Sequence, residues 1–243
     1  MPPDTDLFDW LRATSPGSAR VVAPLLVDLV HPGSVLDVGC GDGAWIGAFA
    51  ALGVAETLGV DTADPAAVEL APDRYRQVDL NQGFDPGRRF DLAVCLEVGE
   101  HLRADAARAL VATLVRSAPV VAFSAAIPGQ GGIGHVNEQW PDWWRARFAD
   151  HGYRQHDVLR AALWTNPDVA FWYAQNLFLY AQPGWEPPAN AALTADGLPE
   201  RLVHPALLAR ARAVPSVRAQ LRQLPRSIGL AVRRRAGGSA HPD

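Results

Sequence analysis

The sequence predicts an α/β fold on a mostly parallel sheet, and three observations carry that expectation. Segments of strand and helix character alternate along the chain with no internal repeat. An apolar strand runs directly into a glycine loop and then a helix in VLDVGCGDGAW. Acids stand at the ends of successive strands, at Asp61 and Asp79.

The elements follow in order. Residues 18–30 read as an amphipathic helix stopped by His31-Pro32-Gly33. A first strand over 34–38 leads through the glycine loop into a helix over 44–52, and a second strand over 56–60 ends at Asp61. A short helix over 65–70 precedes a third strand, 75–78, which ends at Asp79. The fourth strand spans 90–96, a helix 104–117 and the fifth strand 120–124. PGQGGIGHVNEQW then has the texture of a mobile loop rather than a packed element. A helix over 141–150 and two closing strands, 153–159 and 176–181, complete the core. Beyond Pro183-Gly184 the chain turns to Pro, Ala and Arg, so the expected division is a domain over 1–184 and an extension over 185–243, interrupted by Pro205, Pro215 and Pro225.

A chain of 243 residues, 49% hydrophobic and 20% charged, is long enough for one sizeable core. No long apolar run and no signal-like start are visible, and two cysteines, Cys40 and Cys95, suit a reducing compartment, so the cytoplasm is expected. The charge is uneven: residues 1–200 carry 13 Arg against 25 acids, whereas 201–243 carry nine Arg against Asp243 alone. An acidic body argues against a broad nucleic-acid-binding face. The basic tail, with Arg210, Arg212, Arg218, Arg222 and Arg226 among Leu and Val, suits an anionic membrane surface or a partner protein, or else a solvated extension.

Gly39, Gly41 and Gly43 permit a tight turn and close approach of backbone to a ligand. Gly39, Gly41 and Ala44 also satisfy a dinucleotide pattern, but Asp37 and Asp42 flank the loop and would repel a pyrophosphate. They suit a ligand with ammonium and sulfonium charges. Asp61 is placed for ribose hydroxyls and Asp79 for an adenine amino group, with Leu80 following it. The ordered set of glycine loop, acid after the second strand, Asp-Leu after the third and FDLAVCLEVGEHL at the fourth resembles the class I S-adenosylmethionine-dependent methyltransferases over about residues 17–182. The resemblance implies a doubly wound sheet of seven strands, the last antiparallel, and S-adenosyl-L-methionine as cofactor.

For the acceptor, six of eight tryptophans lie beyond residue 139, and Phe171-Trp172-Tyr173 with Gln175-Asn176 are candidates to edge a pocket. Trp140 and Trp144, at i and i+4, read as core. HVNEQW brings His135, Asn137, Glu138 and Gln139 to the mouth of the fifth strand. A helix beginning near Glu97 would place Glu97, Glu100 and His101 within an arc of about 100°. Glu97-x-x-Glu100-His101 is similar to an element of ubiquinone-pathway O-methyltransferases and of metal-dependent small-RNA 2′-O-methyltransferases, where it binds a divalent cation. The resemblance implies Glu97, Glu100, His101 and His135 as ligands of Mg²⁺ or another divalent cation. An orienting role without metal is the other reading. His135, Glu138 and His101 are the candidates for proton transfer.

The expected function is methyl transfer from S-adenosylmethionine to a hydroxyl of a small molecule, such as a sugar or a glycosylated or polyketide-like metabolite. Alternatives are a metal-independent N-methyltransferase, an RNA-end 2′-O-methyltransferase and, from another class, a methyl-donor-binding scaffold without catalysis.

Overall fold

The computed structural model describes residues 7–188 and 199–212. Helix α1 (Leu7–Val30) leads into β1 (Ser34–Val38), α2 (Ala44–Ala51), β2 (Glu56–Asp61), β3 (Tyr75–Gln77) and β4 (Leu92–Leu96). Next come α3 (Ala104–Ser117), β5 (Val120–Ser124), α4 (Pro141–Ala149), β6 (Arg154–His156), α5 (Arg160–Leu163), α6 (Phe171–Asn176) and β7 (Phe178–Ala181). Helix α7 (Pro205–Arg212) lies in the chain's basic end. The seven strands are ordered β3-β2-β1-β4-β5-β7-β6, parallel except for β7, which runs antiparallel to both neighbours. This is the doubly wound sheet expected from the sequence.

The strands are apolar runs because both faces of the sheet are covered. Side chains alternate between two cores with period two: Val35, Leu92, Val94 and Val120 pack with Val22 and Leu26 of α1 and Phe49 of α2. Leu36, Ala93, Cys95 and Val121 pack with Leu110 and Leu114 of α3 and Phe148 of α4. The chain winds outward from β1 to β3 and then returns to β4 on the other side of β1. Connections leave this switch point in opposite directions and open a crevice at the carboxyl ends of β1 and β4.

One expectation is corrected. No helix begins at Glu97, because its backbone N–H extends the β4/β5 ladder to Ser124 O (3.0 Å). The chain then turns through a left-handed Glu97 (φ 56°) into a single 3₁₀ turn, Gly99–His101, before α3 starts. Residues 199–201, within the expected extension, contact the body. The fully buried Arg160 guanidinium donates to the carbonyls of Pro199 (3.1 Å) and Glu200 (3.4 Å), and Arg145 pairs with Glu200 (2.8 Å) while Arg201 pairs with Asp142 (2.7 Å). Arg218, Arg222 and Arg226 of the expected amphipathic tail lie outside the described residues. No helix among the described residues is long and apolar enough to cross a membrane.

Candidate active site

A cavity of ≈ 640 Å³ occupies the crevice. Its first wall is the glycine loop. Gly39 and Cys40 donate to Val60 O (2.7 and 3.1 Å), tying the loop to β2, and Gly39, Gly41 and Gly43 all have left-handed φ. A Cβ at Gly39 would lie 2.3 Å from Val98 and one at Gly43 2.5 Å from Leu70, so these two glycines are required by packing as well as by conformation. Gly41 differs, since a Cβ there meets nothing within 4 Å and would stand in the cavity it lines. Gly43 caps α2 and does not line the cavity.

Asp61 braces this wall. Its carboxylate accepts from Gly41 N (2.9 Å) and Ala63 N (3.0 Å) while still lining the cavity. Asp37 is buried, its Oδ2 has no hydrogen-bond partner, and burial, reinforced by the Asp61 and Asp42 charges, pushes its pKa up to about 8. Asp79 lies elsewhere: it is exposed and accepts from Asn81 N (3.0 Å) and Gln82 Nε2 (2.8 Å), closing its own turn. The cavity is lined at this point by Leu80 and Asn81.

The second wall carries the acids and histidines. Glu97 accepts from Gln130 Nε2 (2.7 Å) and Asn176 Nδ2 (3.2 Å), and Gln175 Nε2 donates in turn to Asn176 Oδ1 (2.9 Å) and Gln130 Oε1 (3.3 Å). Burial raises its pKa and these donors pull it back. Glu100 is wholly buried with no hydrogen-bond partner on either carboxylate oxygen, and burial together with the Glu97 charge pushes its pKa well up. The backbone around it places the histidines. Val136 N and Asn137 N donate to Glu100 O (2.9 and 3.0 Å), pinning HVNEQW onto the 3₁₀ turn, and His101 and His135 meet edge to face at 4.9 Å.

His135 is oriented from behind. Its Nδ1 lies 2.9 Å from Glu138 Oε1, and the same carboxylate accepts from Gly129 N (2.8 Å) and Gly131 N (2.7 Å). Burial opposes ionisation of Glu138, but the His135 and glycine donors hold its pKa below the usual value, so it acts as an acceptor and Nδ1 carries the proton. Nε2 is then left facing Glu100 Oε1 at 3.9 Å. The glycines expected to confer mobility are engaged: two donate to Glu138, and a Cβ on Gly132 would lie 2.2 Å from His135 Nε2. Burial and the neighbouring His135 lower the His101 pKa.

Glu100, His101 and His135 bring one ligand atom each within 4.8 Å of one another. Glu97, the fourth expected ligand, is turned to its amides. Trp172 and Tyr173 line the cavity as expected, whereas Trp144 is core. Gln130, Trp45 and Arg210 line it without having been singled out as site residues; only Gln130, the one amide in a glycine run, carried any sequence signal.

The residues present fit a donor bearing cationic charge and ribose hydroxyls, through the unpartnered Asp37 oxygen, the open space at Gly41 and the Asp61 carboxylate. Comparison with known proteins agrees. Among solved structures the chain is similar to the amino pentose methyltransferase CalS10 from Micromonospora echinaspora, solved with S-adenosylmethionine bound (TM-score 0.54, 19% identity, 73% of this chain and 97% of that one). It is also similar to the sugar N-methyltransferase KedS8 from Streptoalloteichus sp. ATCC 53650 (0.52, 18%, 73% and 93%) and to the methyltransferase domain of bacterial CtHen1 (0.51, 17%, 69% and 98%). No curated protein matches by sequence. Residues 14–165 match the family model described as a methyltransferase domain, and the chain therefore belongs to that family as a class I S-adenosylmethionine-dependent methyltransferase.

Proposed function

We propose that the enzyme methylates a hydroxyl of a small-molecule acceptor, with a divalent cation held by Glu100, His101 and His135. One observation carries this reading: a fully buried carboxylate, Glu100, has no hydrogen-bond partner and stands within 4.8 Å of two imidazoles. An uncompensated carboxylate is expensive to bury, and a cation at this point would satisfy it. Two imidazoles and a carboxylate suit Mn²⁺, Mg²⁺ or Zn²⁺. Glu138 behind His135 is the outer partner that fixes a ligating histidine's tautomer.

The donor supplies an electrophilic methyl on a sulfonium sulfur, and a bound cation would favour loss of the acceptor's hydroxyl proton. The chain's own residues hold and align. Asp61 is assigned to the ribose, Leu80 and Asn81 in place of Asp79 to the adenine edge, and Glu97 with Gln130 and Asn176 to the wall between donor and acceptor. Ile133 and Val136, 55% and 65% exposed beside His135, offer an apolar contact for the acceptor. The cavity is of small-molecule size, and the amino pentose and sugar methyltransferases of like fold favour a sugar-bearing acceptor.

An amine acceptor is the second reading, favoured by the amino pentose acted on by CalS10. An amine can lose its proton to His135 alone, with Nε2 as acceptor, so it needs no cation. Turnover of hydroxyl- and amino-sugar panels by protein stripped with EDTA separates the two. Hydroxyl methylation should vanish, return with Mn²⁺ or Mg²⁺, and be lost in Glu100→Gln while S-adenosylmethionine binding persists. Full activity in demetallated protein would refute the cation.

A further inference from the structure

Arg210 reaches the active-site cavity from helix α7, outside the segment matched to the methyltransferase family. Its placement is built into the fold. Residues 199–204 are fastened by the buried Arg160 guanidinium and by two surface ion pairs. His204 N donates to the buried Gln175 Oε1 (2.7 Å), and its Nε2 lies 2.8 Å from Trp164 O. Leu207 on the first turns of α7 is buried. The arm therefore ends at the cavity in a defined position, and through Gln175 it touches the amide group that holds Glu97.

The charge balance of the cavity gives Arg210 its role. Asp37, Asp42, Asp61, Glu97 and Glu100 line it, and among the described lining residues Arg210 is the one with a permanent positive charge. S-adenosylmethionine carries an α-carboxylate beside its ammonium and sulfonium groups. The acids suit the two cations, whereas the carboxylate enters a field of like charge. A guanidinium presents a planar pair of donors matched to a carboxylate. We infer that Arg210 binds the carboxylate of the donor's amino-acid portion, making the C-terminal arm part of the cofactor site. The inference rests on the donor assignment above.

Calorimetry with two probes tests it. S-adenosylhomocysteine carries the carboxylate; 5′-methylthioadenosine keeps the nucleoside and thioether without it. Arg210→Ala should weaken S-adenosylhomocysteine about tenfold or more, as expected for loss of a charge-assisted hydrogen bond, and leave methylthioadenosine within about twofold. Arg210→Lys should recover part of the loss. Unchanged S-adenosylhomocysteine affinity in Arg210→Ala, or equal weakening of both probes, overturns the inference. If the wild-type protein binds neither probe, the donor assignment itself fails, an outcome separate from the first two.

Discussion

Replacing Asp37 by Asn should stabilise the free protein at neutral pH and do so less, or not at all, in acid. The carboxyl is buried, with one oxygen unpartnered, and its pKa is pushed up to about 8 by burial and by Asp61 and Asp42. A carboxyl whose folded pKa exceeds its unfolded value contributes stability that is fully present below the unfolded value, about 3.9, and is lost as pH rises toward the folded value. At pH 7 the loss spans about three pH units, on the order of 4 kcal/mol; at pH 5 it is about 1–2 kcal/mol. The Asn variant never ionises, but its amide N–H₂ at the unpartnered position costs about 1–3 kcal/mol. The variant should thus be more stable by about 1–3 kcal/mol at pH 7 and near wild type or weaker at pH 5. Urea unfolding of both proteins at pH 5, 7 and 8.5 measures this. An equal stability difference at all three would refute a raised Asp37 pKa. A donor whose positive groups approach Asp37 should restore its charge, so binding at pH 7 should release a proton, visible as a buffer-dependent binding enthalpy.

Asp61→Ala removes the carboxylate that braces Gly41 and faces the cavity, and should weaken S-adenosylhomocysteine by about 10–100-fold in calorimetry; unchanged affinity would place the ribose elsewhere. Gly99→Ala would set a Cβ 2.4 Å from the buried ring of Trp144, and overpacking of about 1–3 kcal/mol should lower the thermal midpoint by ~3–10 °C, with no change if the turn relaxes freely. Deleting residues 199–243 strips two carbonyl acceptors from the buried Arg160 and should destabilise the body by about 2–3 kcal/mol in chemical denaturation, whereas wild-type stability would mean the arm is dispensable to the core.

The glycine-loop wall of the cavity was legible in the sequence because it is local. The glycine loop, Asp61 and the strands buried on both faces are written in contiguous residues, and burial on two sides makes a strand apolar throughout. Asp79 stands outside the cavity for a local reason: with Asn81 and Gln82 just downstream, its carboxylate closes its own turn. The wall that carries the acids and histidines was only half legible. His135 and Glu138 could be named from HVNEQW, but not their pairing with the glycine N–H groups, because that depends on how the loop folds back on the 3₁₀ turn. Arg210 was unreadable as a cavity-lining residue. It sat in a run of arginines that suits an anionic membrane surface, a partner or solvent, and what brings it to the cavity is docking through Arg160 and His204.

Glu97 and Glu100 are three residues apart, and the fold gives them different hydrogen-bond partners. Continuation of the β4/β5 ladder through Glu97 N forces the left-handed turn, a conformation that a residue with a side chain occupies at some energetic expense. That turn sends the Glu97 side chain to Gln130 and Asn176, where donors support its charge. The next three residues send Glu100 into the core with no hydrogen-bond partner on its carboxylate, beside His101 and His135. Had a helix begun at Glu97, both acids would have shared one face and one set of neighbours. Burial raises the pKa of both, but the amide donors pull Glu97 back whereas the Glu97 charge pushes Glu100 further up. Here the separation is made by one backbone hydrogen bond and one positive φ, leaving Glu97 held by amide donors and Glu100 without a hydrogen-bond partner beside the two histidines.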